Sequence, residues 1–363
     1  MKSLFDKTKI KSLDLKNRFI RSAVWMKMAN VDGHLNENII KTYEELAKGG
    51  VGLILSGYAF ISKDEQPNSK MLGIYNDSFI DEYKVLTEKV HENDSKIALQ
   101  IAYGGSQSNH PDAKKMNILG PSAIENKVTK ITPKKATKKE LKDIVKKFAN
   151  AAVRAKKANF DAIEIHAAHG YFLSQFLTPL YNKRKDEYGG NIHNRARIIY
   201  ETIEEVRKRV GSEYPIMIKL NFDDFMGKEG LTKEESLEVF KRVDELGVDI
   251  IEVSAVNESS GKGLAPARTN INSLDEQSYF KEVTEKIAST VNAKVILMGG
   301  NRNVDLMNDI LNNTEIEYFS IGRPLLCEPD LINKWKENKK NTPKCISCNK
   351  CFDTEPNSCI FNR

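Results

Sequence analysis

The sequence predicts a closed (β/α)8 TIM barrel with a short cysteine-rich extension, and three observations carry that expectation. Eight short runs rich in Val, Ile and Leu recur along the 363 residues, and each is followed by a longer amphipathic segment. No G-x-G-x-x-G turn follows the first run, as a doubly wound open sheet would show. Strands are expected at 18–25, 51–59, 96–102, 162–167, 215–220, 250–254, 294–298 and 318–321. Apolar residues at helical spacing place helices at 37–48, 78–92, 138–158, 195–210, 233–246, 277–290, 304–311 and 330–337. Thr232 with Glu235 reads as a capping box before the fifth helix, and Gly247 follows its last turn. Two long connections, near 104–137 and 171–194, would leave the C-terminal face of the barrel, where loops of that size carry function.

Composition narrows the class. A hydrophobic fraction of 40% and a charged fraction of 29% are ordinary for a globular chain. No apolar run approaches the roughly 20 residues of a membrane helix. The segment Met1 to Lys16 mixes Lys and Asp and lacks the apolar stretch of a secretory signal, so a cytoplasmic protein with no membrane partner is expected. A net charge of +6 raises nucleic acid as a partner. The Lys-rich stretch 127–147, however, carries Leu141, Ile144, Val145 and Phe148 at helical spacing, which reads as a solvated helix face and argues against nucleic acid. Cysteines are uneven: Cys327 stands alone, whereas Cys345, Cys348, Cys351 and Cys359 crowd the end. The expected organisation is a barrel over 1–340 and a Cys-rich tail over 341–363.

The densest chemistry lies on the fourth strand and its loop, Ile163-Glu164-Ile165-His166-Ala167-Ala168-His169-Gly170-Tyr171. Alternation puts Glu164 and His166 on one strand face and Ile163 and Ile165 on the other, so His166 points toward the barrel axis. A bend after the strand can bring His169 beside it. Two imidazole N–H groups then converge, which suits a carbonyl oxygen gaining negative charge. Tyr171 offers a phenolic proton of pKa about 10 for delivery to carbon. The same residues leave other readings open: the two histidines as metal ligands of a barrel hydrolase, and Tyr171 packed against its loop. Glu164 reads as a structural partner. Gly299 and Gly300 close strand seven, and Gly322 and Arg323 close strand eight, the usual place for a phosphate berth in a barrel. Glycine permits close backbone approach there and Arg323 adds a forked charge.

The fourth-strand segment continues through Gln175-Phe176-Leu177, Pro179-Leu180, Asn182, Arg184, Asp186, Tyr188-Gly189-Gly190 and Asn194-Arg195, and it resembles the signature of the old yellow enzyme family of flavin oxidoreductases. The resemblance runs from Leu4-Phe5 and Asn17-Arg18 to Ile321-Gly322-Arg323-Pro324, about nine-tenths of the chain. It implies FMN as cofactor, NADH or NADPH as hydride donor and a small electron-poor alkene as substrate. His166 and His169 would bind the substrate carbonyl, and Tyr171 would be the proton donor. Gln100 and Lys219, ending strands three and five, fit the amide and the cation that a flavin needs at its pyrimidine edge and near N1. An unpaired Lys among Ile and Leu would be costly to bury, which argues against a passive Lys219. Ala23, Val24 and Gly57 match positions whose backbone touches flavin in the family.

There are departures. The run Ala23-Val24-Trp25-Met26-Lys27 lacks the Thr or Cys that family members often carry there, Lys219 stands where Arg is usual, and Tyr103 where many have His. The tail is similar to that of dienoyl-CoA reductases, where four thiolates ligate a [4Fe–4S] cluster. Its spacing here is tighter, and zinc and unligated thiols stay as alternatives. A further alternative is an electron-transfer flavoprotein that needs a partner protein. The oligomeric state, including a homo-oligomer, is left open.

Overall fold

Eight parallel strands close into a ring in the computed structural model, which describes residues 1–362 apart from 262, 263, 265, 272 and 339–341. The strands are β1 (Phe19–Arg21), β2 (Leu53–Leu55), β3 (Lys96–Ala102), β4 (Ala162–Ala167), β5 (Ile216–Asn221), β6 (Ile250–Ser254), β7 (Lys294–Leu297) and β8 (Tyr318–Ile321). Each pairs with the next, and β8 returns to β1 through Phe319 opposite Phe19, so the eight strands form a closed ring. Around it lie α1 (Glu37–Lys48), α2 (Phe79–His91), α3 (Lys138–Lys157), α4 (Ile192–Val210), α5 (Lys233–Glu245), α6 (Lys281–Ala288), α7 (Val304–Asn313) and α8 (Leu331–Lys336). This is the expected (β/α)8 barrel. The expected boundary between barrel and tail, at 340 and 341, falls outside the described residues.

Strand alternation sorts the core into two parts. Outward residues such as Ile163, Ile165, Ile218 and Val253 pack with helix residues Phe148, Ile199 and Phe240 in one large cluster. Inward residues Ile20, Leu53, Ala98, Ala162, Met217 and Ile250 form a second. Its floor is an antiparallel hairpin absent from the sequence expectation, Thr8–Ile10 with Leu13–Leu15, whose Ile10, Leu13 and Leu15 close the N-terminal end of the barrel.

Three local expectations change. The first strand ends at Arg21, not Trp25. The second breaks between Leu55 and Ala59, where the Gly57 N–H turns away from the ladder to donate to the Tyr43 hydroxyl of α1 at 2.6 Å. At α5, Thr232 does accept from the Glu235 N–H, but the Glu235 carboxylate pairs with Arg195 at 2.7 Å instead of completing the box. A complete capping box is instead found at Thr137 and Glu140, ahead of α3. Among the described residues no helix is long and apolar enough to cross a membrane.

Candidate active site

Inward side chains change character along each strand. On β4 they run Ala162, Glu164, His166; on β5 Met217, Lys219, Asn221; on β6 Ile250, Glu252, Ser254. The apolar members fill the closed end, and of the polar members His166 and Lys219 line a cavity of about 620 Å3 at the C-terminal end, with the others packed beneath and beside them. That volume is typical of a small-molecule site.

At the end of β4 the chain bends through His169 and Gly170, at φ +59° and +78°. The left-handed conformation is unusual for His, and here it is held by the His169 N–H donating to Asn221 Oδ1 at 3.3 Å and by a 2.6 Å hydrogen bond between His169 Nε2 and Ser254 Oγ. The bend brings the two imidazoles to 5.2 Å between centroids, almost perpendicular, and both line the cavity. His166 Nδ1 is buried without a hydrogen-bond partner among the described residues. Burial, with His169 and Lys219 adding nearby positive charge, holds His166 well below the usual imidazole range. Burial and Lys219 push His169 down to about 3. Both rings are therefore neutral near pH 7, and each retains one N–H donor. Tyr171 lines the same cavity, its ring 4.7 Å from His166, its hydroxyl accepting from Asn68 Nδ2 at 3.2 Å.

Below them, Gln100 Nε2 donates to Glu164 Oε2 at 2.5 Å. Burial, reinforced by Glu252, raises the Glu164 carboxyl well above its ordinary range against the pull of Lys219 and Gln100. Lys219 is not unpaired: its ammonium meets Glu252 at 2.8 Å, and Glu252 also accepts from Ser320 Oγ at 2.7 Å. Burial lowers the Lys219 pKa, but Glu252 and Glu164 outweigh it and the group stays charged. The burial cost set against a passive Lys219 is thus met by Glu252, a partner 33 positions away that local sequence pattern does not reveal. Gln100 and Lys219 both line the cavity.

At the other end, Gly299 and Gly300 have φ +108° and +78°, and a Cβ on either would lie within 2.9 Å of the Tyr279 ring, so glycine is required at both. Gly322 and Arg323 line this end and open a five-residue helical turn. The Arg323 guanidinium donates to the Ser347 carbonyl at 3.4 Å and to the Asn349 side chain. Arg302 is a second, buried cation there, donating to Ile271 O and Ser347 Oγ, each at 2.9 Å, and to Cys345 O. It follows Gly299-Gly300-Asn301 directly, so the barrel-loop logic that selected Arg323 could have selected it too. Ala23 and Val24 line the cavity. Gly57 does not: its N–H faces Tyr43, and the neighbouring Tyr58 takes the place at the cavity wall.

The tail folds back over the mouth. Asn357 N–H donates to Met26 O at 3.0 Å, Lys27 Nζ to Phe352 O at 2.7 Å, and Ser347, Phe352 and Asn357 line the cavity itself. Cys345, Cys348, Cys351 and Cys359 surround one small void of about 10 Å3 beside Arg323. Cys327, read from sequence as isolated, packs against Cys345 and Cys359; burial and these thiols push its own thiol up to about 12. Burial also raises Cys345 and Cys351. The donor set suits four-thiolate ligation, but the void is no larger than one water needs, and no three metal-binding side chains among the described residues are drawn to one point.

The chain matches the pattern of the NADH:flavin oxidoreductase / NADH oxidase family over residues 3–342. An NADPH dehydrogenase from Clostridium acetobutylicum is 34% identical over 329 residues, covering 91% of this chain and 93% of the relative. A cinnamate reductase from Clostridium sporogenes is 31% identical over 370 residues, covering 96% of this chain and 55% of the relative. The chain thus spans about half the length of some of the curated relatives it matches. The solved structure of morphinone reductase in complex with tetrahydroNAD is similar at a TM-score of 0.77 and 25% identity, over 96% of this chain and 94% of that one.

Proposed function

The chain belongs to the NADH:flavin oxidoreductase / NADH oxidase family, and on that footing we propose that it reduces the C=C bond of α,β-unsaturated carbonyl compounds with FMN and NADH or NADPH. One observation carries the reading: His166, His169 and Tyr171 meet at one wall of a cavity whose base holds Gln100 and Lys219. FMN, when bound, supplies a hydride it has taken from the nicotinamide. The residues fit it. Gln100 and the charged Lys219 suit the pyrimidine edge, and Arg302 and Arg323 beside Gly299, Gly300 and Gly322 suit the phosphate.

The two neutral imidazoles each offer an N–H to the substrate carbonyl oxygen, which gains charge as the alkene accepts hydride. Burial keeps them uncharged, so they polarise the carbonyl without being spent as acids. Tyr171 gives its proton to the α-carbon: the O–H bond breaks, a C–H bond forms, and the electron pair stays on the phenol oxygen, where the Asn68 N–H steadies it. The cinnamate reductase among the relatives supports an enoate or enone as substrate. The test is anaerobic turnover of 2-cyclohexenone and cinnamate with NADH or NADPH after FMN reconstitution. Saturated product is expected; protein that takes up FMN yet saturates neither alkene would overturn the reading.

The four tail thiols are proposed as ligands of a [4Fe–4S] cluster, with zinc as the rival, and the tail as a unit fastened to the barrel mouth. Iron, sulfide and zinc analysis after anaerobic purification decides between them. A cluster would favour the second reading, an electron-transfer flavoprotein, which full turnover with nicotinamide and alkene alone would contradict.

A further inference from the structure

We infer that Tyr58 is a second proton donor of the cavity, paired with Tyr171 through the side chain of Asn68. This rests on the proposed alkene reduction and adds a residue to it. Asn68 Nδ2 lies 3.2 Å from the Tyr171 hydroxyl and 3.2 Å from the Tyr58 hydroxyl. An amide nitrogen only donates, and it has two hydrogens. Each phenol oxygen therefore accepts one of them and directs its own proton away from Asn68. Both phenols line the cavity, their rings edge to face at 5.6 Å. The His166 ring is 4.7 Å from Tyr171 and 6.2 Å from Tyr58, so two acids flank the same carbonyl-binding imidazole.

Asn68 is 2% exposed and fixed in place: the carbonyl of the adjacent Ser69 accepts from the Trp25 indole at 3.1 Å. An N–H donated to a phenol oxygen steadies the charge that proton delivery leaves behind, so the one amide can serve either tyrosine. In the Tyr58 step its O–H bond breaks, a C–H bond forms at the α-carbon, the electron pair remains on the Tyr58 oxygen, and solvent returns the proton. Tyr171 follows β4 and Tyr58 follows β2. An alkene whose α-carbon lies toward β2 takes its proton from Tyr58, and one that lies toward the β4 loop takes it from Tyr171.

The experiment is single-turnover reoxidation of the reduced holoenzyme by 2-cyclohexenone in Tyr58→Phe, Tyr171→Phe and the double variant, with FMN retention as the check on folding. A positioned general acid is worth roughly 100- to 10,000-fold. Tyr171→Phe should therefore keep part of its rate through Tyr58, and the double variant should fall a further tenfold or more. A second measurement needs no turnover. With ring-labelled tyrosine, Asn68→Leu should shift the infrared C–O bands of the two phenols that Tyr58→Phe and Tyr171→Phe remove. A double variant as slow as Tyr171→Phe alone overturns the inference and leaves Tyr171 as sole donor. Parent rates in both overturn it together with the donor role of Tyr171. Unshifted phenol bands in Asn68→Leu overturn the shared amide.

Discussion

The two ends of the barrel are made by the same strands and differ by four residues of depth. At the closed end Ala162, Met217 and Ile250 meet the hairpin residues Ile10, Leu13 and Leu15 in a purely apolar core. Two positions further along, Glu164, Lys219 and Glu252 are joined by hydrogen bonds and an ion pair, and two further still His166 lines the cavity while Asn221 and Ser254 hold His169 beside it. A rise of about 3.3 Å per residue makes this a distance of roughly 13 Å from anchor to site. Stability and chemistry are thus separated along each strand, so changes at one end should leave the other largely intact.

The most severe test is at the closed end. Ile250→Ala should cost about 2–5 kcal/mol of stability in urea unfolding, with FMN affinity and alkene turnover of the folded fraction preserved. Equal loss of both would break the separation.

At the open end, His166→Ala or His169→Ala should slow reoxidation by an enone roughly 100- to 1,000-fold while flavin reduction by nicotinamide changes less. Stability should move the other way in acid. The folded state refuses a proton at His169 until about pH 3, whereas an unfolded His accepts one near its ordinary value of 6.5. More protons bind to the unfolded chain across that window, so stability is lost as pH falls through it, and His169→Ala should flatten the acid limb of the Tm profile.

Glu65, buried behind the mouth with Oε2 accepting from the Gly104 N–H at 3.0 Å, has the opposite sign. Burial raises its carboxyl to about 8 from an ordinary value of 4.5, so the unfolded chain sheds the proton first and stability falls as pH rises between them. Glu65→Gln should raise the Tm by several degrees at pH 8 and change it little at pH 4. The smallest effect is at Arg323. Replacement by Ala should weaken FMN retention by roughly 10- to 100-fold, with a smaller change in folding, since it removes charge-assisted hydrogen bonds and one tie to the tail.

Where one face of an element is fully buried, its residues could be read from sequence almost to the position. β4, β6 and β8 fall where the Val and Ile runs put them, because alternation there is enforced by core on both sides. β1 and β2 are shorter than expected because the chain leaves the ladder to build the cavity wall, and no local pattern marks that exit. The site divides in the same way. His166, Gln100 and Lys219 sit at strand ends whose direction alternation fixes. Asn68 lies in an irregular loop, Glu252 meets Lys219 from the adjacent strand β6, and Cys327 joins the tail cysteines over a long separation. Such pairings exist only once the fold has closed, and a single sequence carries no signal for them.

The central claim, that the open end is an FMN-dependent alkene-reducing site, is tested most directly by anaerobic stopped-flow absorbance of the FMN-loaded protein, reduced by NADPH and then mixed with 2-cyclohexenone. The account predicts that the flavin band returns with the enone in the parent and returns far more slowly in His166→Ala and His169→Ala. A band that returns equally fast in all three, or that the enone does not restore in the parent, contradicts it.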